Sequence, residues 1–186
     1  MICEKHKAMF FVVGALLSPV YAFAVSGIKN TDVQIRGNLV ASTCSINGVQ
    51  KGTTANVPVD LGVVSTASFG SAGKIGGVVV PSILFSGCPA NANITMVLDG
   101  VGDINQANKS YRNNVIPAFG GAQNIEVQII NAATGEVLDP LGGNSIIVRS
   151  DAFGSATSTM GVRFRSSGAA TAGSFSAIAG FNLSYP

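Results

Sequence analysis

Charge is scarce in this 186-residue sequence, where only 11% of residues are Asp, Glu, Lys or Arg. Its 11 basic and 9 acidic side chains leave a formal balance of +2, too weak to imply a nucleic-acid or anionic-membrane partner. Histidine is nearly absent: the one copy, His6, stands with Cys3 in the opening stretch MICEKHKAMFFVVGALLSPVYAFA. There Lys5 and Lys7 precede an apolar run from Ala8 to Leu17, a break at Pro19 and the small-x-small site Ala22-Phe23-Ala24. That is the pattern of a secretory signal peptide, with cleavage expected after Ala24. The run is about half of a bilayer span, which argues against a membrane anchor. Cleavage would take the charged counts from 11 and 9 to 9 and 8, a balance of +1, and remove the only histidine.

These absences narrow the chemistry. Without histidine, and with eight carboxylates, acid–base or nucleophilic catalysis has few groups to draw on. No enzymatic activity and no cofactor are expected. A metal site lacks both CxxC spacing and histidine. GSAGKI, around Lys74, has Ser68 where a phosphate loop needs its first Gly, and Ile75 where Ser or Thr should follow the lysine. DGVGDIN, from Asp99 to Asn105, lacks the ligand spacing and terminal Glu of a calcium loop and reads as a turn. The two cysteines left after cleavage, Cys44 and Cys88, imply one disulfide in an exported protein, closing a loop of about 45 residues and worth about 3–4 kcal/mol.

What the sequence has is period-two alternation, the mark of strands with one face in a core. DVQIRGNLV places Val33, Ile35, Gly37 and Leu39 on one face and Asp32, Gln34, Arg36 and Asn38 on the other. NVPVDLG, NITMVLDG, NIEVQIIN and TMGVRFRS alternate in the same way, with Glu126, Gln128, Arg163 and Arg165 expected on a solvated face. VVVPSILFSGC is more continuous, and its Pro81 argues for a strand break, edge or bulge. VQIINAATGEVLDP reads as a hairpin with Ala132 to Gly135 near its tip. No segment of a dozen residues shows helical period with caps, so any helix should be short. Strand and turn spacing fits a β-sandwich of roughly seven strands.

The two ends carry most of the information. The last residues, GSFSAIAGFNLSYP, alternate from Phe175 through Ala177, Ala179, Phe181 and Leu183 to Tyr185. If residues from Cys44 onward build the sandwich, no later strand covers the far side of this one. A long open edge over a core groove invites another chain, and a neighbour's N-terminal segment could fill it, alternate side chains entering pockets.

The order of these features resembles the pilin subunits of bacterial chaperone–usher fimbriae, most closely the small type 1-type subunits. The resemblance rests on the export signal, DVQIRGNLV with its Gly37, CSI at Cys44, VPVDLG, VVVPSILFSGC leading into Cys88, the penultimate Tyr185, and Gly173 fourteenth from the end. The terminal Pro186 departs from that pattern at little cost to a strand ladder. The resemblance implies an all-β fold, an incomplete immunoglobulin-like β-sandwich completed by donor-strand exchange. It divides the chain into a signal peptide (1–24), an N-terminal extension serving as donor strand (25–40) and a pilin domain (41–186). Val33, Ile35, Gly37 and Leu39 would be the donor residues. Gly173, Phe175, Phe181, Leu183 and Tyr185 would lie on the strand that borders the groove and pairs with the chaperone.

The implied partners are a periplasmic chaperone, an outer-membrane usher and neighbouring fimbrial subunits. The implied location is a cell-surface fimbrium reached through the periplasm, and the implied role is structural polymerisation supporting adhesion. Two alternatives stand beside it. A tip adhesin would need a receptor-binding domain ahead of Cys44, which comes about 20 residues after the expected cleavage site. A secreted monomer would fold its N-terminal strand back into its own groove.

Overall fold

The computed structural model describes residues 26–39, 44–49 and 54–185; the expected signal peptide and Pro186 lie outside them. Among these residues there is no α-helix, only three short 3-10 turns at Thr66–Phe69, Gln106–Asn108 and Pro117–Phe119. The strands are β1 (Gly27–Leu39), β2 (Ser45–Ile46), β3 (Ala55–Val59), β4 (Val64–Ser65), β5 (Ile75–Val79), β6 (Leu84–Ser86) and β7 (Asn93–Leu98). They continue as β8 (Ile104–Asn105), β9 (Ser110–Arg112), β10 (Ile125–Asn131), β11 (Ser145–Arg149), β12 (Ala156–Thr157), β13 (Met160–Ser166) and β14 (Gly173–Ser184).

Two larger sheets form an immunoglobulin-like sandwich. One runs β11-β7-β14-β1-β3, with β4 also on β1; the other runs β5-β13-β10-β9-β8. A small third sheet, β12-β6-β2, completes the set. The layers meet through the alternating apolar residues: Val127, Ile129, Met160, Val162 and Phe164 from one sheet face Ile94, Met96, Phe175 and Phe181 from the other, all fully buried. Phe164 and Phe175 join them edge to face at 5.3 Å between ring centres, and Phe69 meets Phe164 edge to face as well, at 6.2 Å, geometry that aromatic quadrupoles favour. Pro81 separates β5 from β6, which lie in different sheets. The hairpin after β10 turns through Ala132–Gly135, closed by the Asn131 amide on Glu136 O at 2.8 Å.

The outer face of β10 departs from simple alternation. Glu126 and Gln128, expected in water, are each only 5% exposed. The segment carrying Gln106–Asn108 folds over them. The Glu126 carboxylate accepts hydrogen bonds from Asn105 Nδ2 (2.7 Å), Asn108 Nδ2 (3.0 Å) and Ser110 Oγ (2.5 Å). Gln128 donates to Asn108 O and accepts from Arg163 Nε. Arg163 and Arg165 are therefore half-buried rather than fully solvated. Burial, and then the neighbouring Arg165, lower the pKa of the Arg163 guanidinium.

Candidate functional site: the groove between the first and last strands

β14 owes its length to an uninterrupted alternation, with Phe175, Ala177, Ala179, Phe181 and Leu183 buried on its inner face. One edge is shared. Its last residues, Phe181–Ser184, pair antiparallel with β7, while Ser174 and Ser176 bond to the loop around Asn113–Ala122. Gly173 lies where that loop passes: a Cβ there would come within 2.6 Å of Gly120 O and 2.7 Å of the Gly121 carbonyl carbon. This close approach gives the glycine expected at this position a structural reason.

The other edge of β14 borders the groove, and β1 of the same chain fills it. β1 runs parallel to β14 from Ile28 opposite Gly173 to Leu39 opposite Leu183. Its other side pairs antiparallel with β3, Val33 opposite Val59 and Gly37 opposite Ala55. Its first residues reach β4, with Ile28 opposite Val64. The sandwich is thus completed by an inserted strand, and in the single chain that strand comes from the molecule itself. The physical reason is local supply. A tethered segment competes at an effective concentration on the order of millimolar, and insertion removes an open edge.

The inner face of β1 matches the alternation. Val33 and Ile35 are fully buried and Gly37 is buried, while Asp32 and Arg36 are exposed. Leu39 keeps the register opposite Leu183. At Gly37 the space for a side chain is already taken: a Cβ would lie 2.5 Å from Phe181 Cζ and 2.7 Å from Ile46 Cδ1. Burying Ile28, Val33 and Ile35 stabilises the closed form by about 1.5–3 kcal/mol per side chain.

One groove residue escapes period-two reading. Thr31, only 5% exposed, is in phase with Val33 and Ile35, but Ile28 is fully buried on the opposite parity. A bulge between Lys29 and Thr31, with Asn30 at φ 52°, shifts the register by one and returns Ile28 to the inner face. The sole hint in the sequence is Asn30 itself, a residue that tolerates the left-handed region. Thr31 lies where β1 crosses from β4 to β3. Its hydroxyl is 2.8 Å from Gly62 O and 3.0 Å from Asp60 Oδ1, with one proton to share between them.

At the far end, Cys44 and Cys88 form a disulfide, their Cα atoms 4.3 Å apart. The Cys44 amide donates to the Tyr185 hydroxyl at 3.1 Å, so the half-buried penultimate aromatic ties the end of β14 to the disulfide. The expected site residues are brought together: Val33, Ile35, Gly37 and Leu39 lie alongside Phe175, Phe181 and Leu183 in one pair of strands, bounded by Gly173 at one end and Tyr185 at the other.

Fold and groove define a β-sandwich whose sheet is completed by a strand inserted beside the last one. The sequence model of the fimbrial protein family matches residues 33–186, and the chain belongs to that family. An F17 fimbrial protein from Escherichia coli is 31% identical over 107 residues, covering 54% of each chain. The chain thus spans about half the length of this curated relative. Among solved structures, a Burkholderia pseudomallei antigen and type I fimbria protein is similar at 21% identity, covering 83% of this chain and 97% of that one, with a TM-score of 0.47. The CupB6 tip adhesin from Pseudomonas aeruginosa is similar at 11% identity, covering 83% of this chain and 40% of that one, with a TM-score of 0.44.

Proposed function

We propose that this protein is a structural subunit of a cell-surface fimbrium that polymerises when one copy's β1 enters the groove of another. The observation that carries this reading is the position of β1, an N-terminal strand inserted between β14 and β3. Any contact it makes with its own groove is available from an identical copy, so exchange forms equivalent contacts at the cost of association entropy. Such heterologous exchange has no closed end point and builds fibres. A period-two strand presents one face whichever way it enters, so exchange does not require the parallel register.

Within this reading residues 25–40 are the donor segment, with Val33, Ile35, Gly37 and Leu39 entering the groove. The strand bearing Gly173, Phe175, Phe181, Leu183 and Tyr185 receives first a periplasmic chaperone's strand and then, at an outer-membrane usher, the next subunit's. Main-chain bonds supply strength and alternate side chains supply specificity. The role is structural, not catalytic. Deleting residues 25–40 tests it: cells should export a chaperone-bound subunit that is absent from fibres by electron microscopy, and normal incorporation would overturn the donor role.

A second reading is a secreted monomer closed by its own strand, favoured by the parallel β1–β14 pairing. It requires the purified protein to stay monomeric in the presence of an added donor peptide.

A further inference from the structure

We propose that Thr31 is a bolt that holds β1 in its own groove and so sets how readily the subunit opens for exchange. The proposal rests on the donor-strand reading above and concerns regulation of the same site. β1 is held in two unequal halves. From Val33 to Gly37 it lies between two partner strands, β14 and β3, and is bonded on both sides. From Gly27 to Thr31 it stays paired with β14 but bulges at Asn30, and on its other side it has left β3 and meets only the two-residue β4.

Between these halves one side chain crosses the gap. Thr31 Oγ1 reaches the Asp60–Gly62 turn that connects β3 to β4, at 2.8 Å from Gly62 O and 3.0 Å from Asp60 Oδ1. That turn is itself braced, because the Gly62 amide donates to the same Asp60 oxygen at 2.8 Å. The bolt therefore engages a preformed acceptor pair and not a mobile loop end. It is also reachable: Asn30, Thr31, Asp32, Asp60, Gly62 and Val63 line a cleft of about 390 Å³ beside it.

Strands leave a sheet from an end, where fewest contacts must break at once. Peeling β1 from Gly27 first frees the short β4 pairing and the Ile28 and Lys29 pairing with β14, and then meets Thr31. Beyond that point Val33 and Ile35 follow into water. Breaking the Thr31 contact is the step that separates a frayed end from an open groove.

The test uses the full exported chain with Thr31→Val, which fills the same volume without a hydroxyl, and Thr31→Ser, which keeps it. Hydrogen exchange read by mass spectrometry reports opening of Gly27–Leu39, with β10 as the internal reference. Uptake of a fluorescent peptide of residues 26–40, followed by anisotropy, reports exchange. Removing a hydrogen bond of ordinary net strength should make β1 amides exchange about tenfold faster in Thr31→Val, with β10 unchanged and Thr31→Ser near wild type. Peptide uptake should accelerate by a similar factor. Unchanged β1 exchange in Thr31→Val overturns the bolt even if peptide enters. Equal acceleration in β10 also overturns it, since the hydroxyl would then support the whole fold. Faster β1 exchange with no peptide uptake by any form leaves the bolt standing and overturns donor-strand exchange instead.

Discussion

At Gly37 the ring of Phe181 and the tip of Ile46 occupy the volume that a side chain would fill. Alanine in a strand normally gains a few tenths to about 1 kcal/mol over glycine through chain entropy. Here a Cβ at 2.5 Å from Phe181 and 2.7 Å from Ile46 forces a shift in a packed core, and overpacking of this kind costs about 1–3 kcal/mol. The clash should win. Gly37→Ala is expected to lower the urea midpoint with an unchanged slope. Because contacting residues couple, adding Phe181→Leu should cost less in the Gly37→Ala background than in the wild type. Additive losses would mean that the ring does not set the constraint. A glycine within an alternating strand was visible in the sequence, but which ring it accommodates depends on register. Glu126 is the opposite case. Its place on the polar side of an alternation was legible, but its burial was not, because the cover comes from Asn105, Asn108 and Ser110, well before it in the chain.

Among the elements, β14 was the most legible, since a twelve-residue strand with one apolar face leaves few alternatives. β1 was legible only from Val33 onward. Ile28 was missed because the bulge at Asn30 reverses parity, and such a register shift is set by the partner strands and leaves no periodic trace. Where β1 goes was not legible either: alternation specifies a face, not an owner. The closing end of β14 allows a measurement. Tyr185 is only half-buried, and its hydroxyl accepts the Cys44 amide at 3.1 Å. Tyr185→Phe keeps the ring and loses this bond, so stability should fall by about 0.5–1.5 kcal/mol. The loss should vanish in a variant whose residue 44 is no longer anchored. A Tyr185→Phe protein with the wild-type urea midpoint would show that packing of the ring, not the hydroxyl, holds this end.

For the whole molecule the question is what keeps β1 in its groove. Only four residues of sequence separate the end of β1 from Cys44, and Cys44 is fixed twice, by the disulfide to Cys88 and by Tyr185. Anchoring the tether shortens the search of β1 for its groove and raises its effective concentration there. The disulfide thus acts on the fold and on the occupancy of the groove together. Replacing both cysteines by serine should remove about 3–4 kcal/mol, a large part of the 5–15 kcal/mol typical of a domain, and lower the yield of folded protein. It should also act unevenly. If the anchor matters for strand retention, β1 amides should lose more hydrogen-exchange protection than those of β10 at a denaturant concentration where both variants remain folded. Equal loss in the two strands would mean that the disulfide stabilises the sandwich alone. Retention of β1 would then depend on the groove contacts themselves, with Val33 and Ile35 carrying it and the tether contributing nothing.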